Sequence, residues 1–117
     1  MTQTQAKKTL ELTCSALDDL KAQNIIILEV GSFTSVTDYM VIASGTSTQH
    51  VRSIANNLEK TAKQRKADVF GIEGSNNAEW VLVDLGDVIA HIMLPDVRDY
   101  YQLEKLWSVE DIVDTSA

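Results

Sequence analysis

"EWVLVDLGDVIAHIM", residues 79–93, sets two apolar runs around a Gly-Asp pair, and the fold turns on how it is read. Gly86-Asp87 fits a two-residue hairpin loop in which glycine supplies the positive φ of the first loop position. That loop places Leu85 opposite Val88, Asp84 opposite Ile89, Val83 opposite Ala90, Leu82 opposite His91, Val81 opposite Ile92 and Trp80 opposite Met93. Side chains alternate along a strand, so one face carries Val81, Val83, Leu85, Val88, Ala90 and Ile92, a wholly apolar set suited to a core. The other face carries Trp80, Leu82, Asp84, Ile89, His91 and Met93. It is apolar enough to want burial, yet it holds a carboxylate and an imidazole. Two readings stand open. Either helices cover both faces and tie Asp84 and His91 into buried hydrogen bonds, or part of the second face stays open as a contact surface, since Trp, Leu and Met beside a few polar groups make an interface centre.

Outward from the hairpin, the periodicity changes. Residues 3–22 place Ala6, Leu10, Cys14, Leu17 and Leu20 at helical spacing, with Thr2 and Gln5 as opening cap and Asn24 at the helix end. "IIILEV" (25–30) is a continuous β-branched run suited to an interior strand. "YMVIAS" (39–44) is a second strand, and the eight residues between them are too few for a helical crossover, so the pair is expected to be antiparallel. A helix over 48–66 follows, with Val51, Ile54, Ala55, Leu58 and Ala62 on one face and Thr46 with Gln49 as a capping box. Strand 68–73 returns by a parallel crossover. Pro95-Asp96 opens a short helix reaching Trp107, with Asp96 as cap; about ten residues are marginal alone, so Tyr100, Leu103 and Trp107 are expected to dock it. The order α-β-β-α-β-β-β-α predicts one α/β domain over 1–107, a mixed sheet of about five strands with three helices. Residues 108–117 read as an acidic, frayed tail.

The 117 residues give one domain. No apolar run approaches the ~20 residues needed to span a bilayer, and the N-terminus has no secretory pattern, so a cytoplasmic chain without membrane contact is expected. Cys14 is the single cysteine, which excludes an internal disulfide and a thiolate cluster; a buried, inert thiol is the expectation. Ten Lys and Arg against seventeen Asp and Glu leave a net charge of −7. Nucleic-acid affinity comes mainly from cations replacing counterions, so no direct nucleic-acid contact is expected, and an acidic surface suits a basic protein partner better. The densest basic cluster, "KQRK" (63–66), complements the end of its helix.

Tests for chemistry give little. Asp84 and His91 are diagonal neighbours at best and lack a third ligand, so no metal is expected. "ASGTSTQH" (43–50) is a strand–glycine–helix passage able to attract an anion, but it has no Walker or GxGxxG pattern. Nucleotidyltransferases follow such a loop with two metal-binding acids two residues apart on a strand; "DVFG" offers one, and Asp84 and Asp87 are separated by a turn. His50 has no Ser or Cys partner. No catalytic residue and no cofactor follow.

Three segments in this order, "SVTDYMVIASGTSTQHVRSIA", "GIEGSNNAEWVLVDLGDVIAHIM" and "RDYYQLEKLW", resemble the Iojap-like ribosomal silencing factors (RsfS). The matching positions are Asp38, Gly45, Ser47, Glu73, Gly74, Trp80, Asp84, Gly86, Asp87, His91, Arg98, Tyr101, Leu103, Glu104 and Trp107; the tail beyond matches nothing. The resemblance implies a nucleotidyltransferase-like fold without catalytic acids. It also implies a non-enzymatic role: binding the large ribosomal subunit through its protein L-fourteen, blocking subunit joining and repressing translation when nutrients are scarce. It makes Trp80, Leu82, Asp84, His91 and Met93 the expected docking face, extended by Arg98, Tyr101 and Glu104. The competing expectation is a degenerate nucleotidyltransferase-like enzyme that binds nucleotide through "SGTS". A face of this kind also admits a homodimer in the free protein.

Overall fold

The computed structural model describes residues 2–32, 34–102 and 112–114. Its elements are α1 (Thr2–Asp19), β1 (Gln23–Glu29), β2 (Tyr39–Ser44), α2 (Thr48–Gln64), β3 (Gly71–Glu73), β4 (Trp80–Asp84), β5 (Val88–Met93), α3 (Pro95–Tyr101) and β6 (Ile112–Asp114). The expected order holds through α3. One short strand is added: Ile112–Asp114, placed in the frayed tail by the sequence reading, pairs antiparallel with β1. The sheet therefore has six strands in the order β3-β4-β5-β2-β1-β6, and β1 is interior because of that addition. Backbone pairing with an edge supplied what side-chain pattern did not signal.

β1 and β2 are antiparallel, as the short connector required. The β4–β5 register is the one the Gly-Asp loop dictates, from Asp84↔Ile89 to Trp80↔Met93. Gly86 has φ +82, and the Leu85 N–H donates to the Val88 carbonyl at 2.9 Å. The crossover after α2 lands farther away than a simple β-α-β unit. β2 pairs in parallel with β5, while β3, running the same way, lies at the far edge against β4 and is shorter than the expected 68–73.

α1 and α2 cover one face. Val81, Val83, Leu85, Val88, Ala90 and Ile92 are all buried there against Leu12, Leu17, Val51, Ile54 and Leu58. This is the face assigned to the core by alternation. The buried side of α1 is rotated from the expected stripe: Leu10, Cys14 and Leu20 are half-buried, whereas Thr9, Leu12, Thr13 and Ala16 are buried. The threonines are tolerated because each hydroxyl donates to a carbonyl one turn back, Thr9 to Gln5 at 3.1 Å and Thr13 to Thr9 at 2.7 Å. Burial pushes the Cys14 thiol pKa up. Lys21, at φ +60, ends the helix three residues before the expected Asn24.

The cap of α2 is Ser47 rather than Thr46: its hydroxyl accepts from the His50 N–H at 3.1 Å. Thr46 instead donates its backbone N–H to His50 Nδ1 at 2.8 Å, so the ring proton sits on Nε2, which donates to the Leu20 carbonyl at 2.7 Å. His50 is thus a clasp between the end of α1 and the start of α2. At α3 the N-cap is Leu94, without a side-chain cap bond, and Asp96 lies inside the first turn. Leu103, Glu104 and Trp107 lie outside the described residues.

Candidate functional site

The second sheet face has a small core of its own. Leu28, Val30, Ile42 and Met93 are fully buried, with Ile26, Met40, Trp80 and Val97 packed around them. α3 reaches this face through Val97 and through Arg98, which is buried and donates from Nη1 to Ser44 Oγ at 3.0 Å. Three expected contact residues are buried here: Met93, Arg98 and His91. Met93 is fully buried, because β5 is flanked on both sides and its last residue lies beneath the α3 contact. Arg98 points inward as a brace between α3 and β2. Neither side chain is open on this surface.

Trp80 is half-buried and stands between core and surface. Its indole N–H donates to His91 Nδ1 at 2.9 Å, and its ring lies 4.9 Å from that of Tyr101, tilted by 50°. Tyr101 in turn meets Tyr100 edge-on at 4.9 Å. Tyr100, expected to anchor α3, is instead 82% exposed, and Tyr101 is 53% exposed. The aromatic series therefore runs from a buried imidazole to two open phenols. His91 is held neutral: burial lowers its pKa from 6.5 to about 4, and its Nδ1 is committed to the indole. It orients Trp80 from beneath.

Down the hairpin from Trp80, Leu82, Asp84 and Ile89 are half-buried, and Met40, opposite Ile89 on β2, joins them. Asp84 Oδ1 accepts the Gly86 N–H at 2.9 Å, so this carboxylate shapes the loop and does not converge with His91, which lies opposite Leu82. Met40 and Ile89 were absent from the expected contact set. Alternation had already placed Ile89 on this face, whereas Met40 needed the knowledge that β2 neighbours β5. α3 covers the Met93 end of this face, while the band from Trp80 to Ile89 is half-buried. Among the described residues no group of three His, Cys, Asp or Glu could hold a metal ion, and no helix is long and apolar enough to cross a membrane.

The chain and its fold have counterparts. The family described as "Ribosomal silencing factor during starvation" (RsfS) matches residues 3–117. The "Ribosomal silencing factor RsfS" of Chromobacterium violaceum is 44% identical over 97 residues, covering 83% of this chain and 80% of that one. The mouse "Mitochondrial assembly of ribosomal large subunit protein 1" is 37% identical over 115 residues, 96% of this chain and 50% of that protein. A crystal structure of a Chromobacterium violaceum protein superposes with a TM-score of 0.85 at 42% identity, covering 86% of this chain and 84% of that one. By full-length match, by identity and by fold, the chain belongs to the ribosomal silencing factor (RsfS) family.

Proposed function

We propose that this chain silences translation by docking on the large ribosomal subunit through its protein L-fourteen, where its bulk keeps the small subunit from joining. One observation carries the reading: the half-open apolar band of Trp80, Leu82, Ile89 and Met40, continued by the exposed ring of Tyr101, on the sheet face that α1 and α2 leave uncovered. An apolar patch of this kind, rimmed by polar groups, is what a protein partner covers. Carboxylates flank it at Asp84 and Asp87, and the chain's net charge of −7 favours a basic ribosomal protein as the partner. The mouse relative is named for the large ribosomal subunit, which supports that subunit as the target.

Steric exclusion requires a shaped surface and no turnover. Trp80 is the expected anchor, since a large ring pre-oriented by His91 and Tyr101 loses little conformational freedom on binding. Co-sedimentation with purified large subunits tests this. Trp80→Ala and Tyr101→Ala should each weaken binding by about 2 kcal/mol, roughly thirtyfold. Circular dichroism should show both variants folded. Undiminished binding by both would remove this face from the mechanism.

A further inference from the structure

We propose that the outer surface of the helical layer, centred on Lys8, Arg65 and Lys66, is a contact site for RNA phosphates. It lies on the other side of the sheet from the aromatic band and goes beyond the docking reading. Residues far apart in sequence meet here. The first half of α1 and the segment after α2 enclose a concavity of about 400 Å³, lined by Lys8, Arg65 and Lys66 together with Gln5, Thr9 and Glu11. All three cations are exposed. Lys60 and Lys63, on the last turns of α2, line a separate concavity with Glu59, to which Lys63 is paired at 3.0 Å. Three of the chain's ten Lys and Arg therefore line one hollow with a single carboxylate, Glu11, in a chain whose net charge is −7.

Helix-end electrostatics accounts for only part of this arrangement. Arg65 and Lys66 follow the C-terminus of α2, where cations are favoured, but Lys8 sits in the N-terminal half of α1, where the macrodipole gives a cation nothing. Glu11 shares the hollow and offsets one of the three cations, which leaves an excess of positive charge for an external anion. A small anion is a poor match, because the cations are exposed and Thr9 already donates its hydroxyl to Gln5. A polyanion that engages several of them together, gaining by counterion release at each, is the better match. Net charge argues against RNA only at long range; within a Debye length of about 8 Å the local cluster decides. The family's ribosomal target makes RNA the polyanion at hand.

Fluorescence anisotropy of the purified full chain with a fluorescein-labelled RNA hairpin, across a salt series, tests the proposal. The triple variant Lys8→Gln, Arg65→Gln, Lys66→Gln should bind about tenfold more weakly, and its plot of log affinity against log salt should be shallower by about 2–3. Its circular dichroism should be unchanged, since all three side chains are exposed. Trp80→Ala should keep wild-type affinity for the hairpin, so failure here and failure of the sheet-face reading are told apart. Absence of hairpin binding, wild-type affinity and slope in the triple variant, or displacement of the hairpin by polyglutamate or inorganic phosphate as readily as by unlabelled RNA would overturn it.

Discussion

His91 sits on an apolar sheet face because Trp80 brings a donor to it. The imidazole is 7% exposed, accepts the indole N–H, and has its pKa lowered from 6.5 to about 4 by burial. The folded state therefore resists protonation at pH values where the unfolded chain accepts it, and stability falls as pH drops from about 6.5 towards about 4. Between pH 7 and pH 5 the loss from this residue should be about 2 kcal/mol by urea unfolding, and His91→Gln should remove most of that pH dependence. Gly74 is a second residue with a local necessity. It has φ +90, and a Cβ built there would lie 2.1 Å from the Trp80 carbonyl oxygen. Gly74→Ala should destabilise the protein by about 2 kcal/mol or more, whereas Gly71→Ala, with nothing within 4 Å, should change it by about 0.5 kcal/mol or less. Thermal melts of the two variants make the comparison. The sequence marked both His91 and Gly74 as signature positions, but neither the Trp80 donor nor the carbonyl above Gly74 could be inferred without the folded backbone.

Elements were legible where one face is continuously apolar and the turn is short. The β4–β5 hairpin was placed residue by residue, because a two-residue loop leaves a single register and the pleat does the rest. The buried face of α2 was placed equally well, through Val51, Ile54, Ala55, Leu58 and Ala62. α1 was harder: buried threonines look polar in a sequence, and their hydroxyls are satisfied by its own backbone. The cap of α2 was read one residue early for a similar reason, since Thr46, Ser47 and Thr48 are all cap formers and only geometry selects Ser47. Ser47→Ala should cost about 1 kcal/mol. His50→Ala should cost more, about 2 kcal/mol, because it breaks bonds to both Thr46 and Leu20. Denaturant midpoints of the two variants rank the cap against the clasp.

At the scale of the whole molecule, β6 is the neighbour that makes β1 the interior strand its continuous apolar run suited, and the sequence reading had placed no strand there. Ile26, Ile27 and Leu28 of β1 pair with Asp114, Val113 and Ile112. A chain ending at Asp111 would bare those backbone groups on an apolar strand, and exposed edges of that kind recruit other chains. Such a truncation should show concentration-dependent association by sedimentation velocity, while the full chain shows less. The pattern of apolar residues was enough for the element types through α3, the single α/β domain with a mixed sheet and three helices, the hairpin register and the core face, all of which follow from periodicity and short-range loop geometry. Which strands became neighbours, how far α3 covers the second face, the inward turn of Met93 and Arg98, and the meeting of Lys8 with Arg65 and Lys66 came only from the assembled fold. They are long-range packing outcomes: local rules set the period along each segment, but only the closing of the sheet and helices brings distant segments to within contact distance.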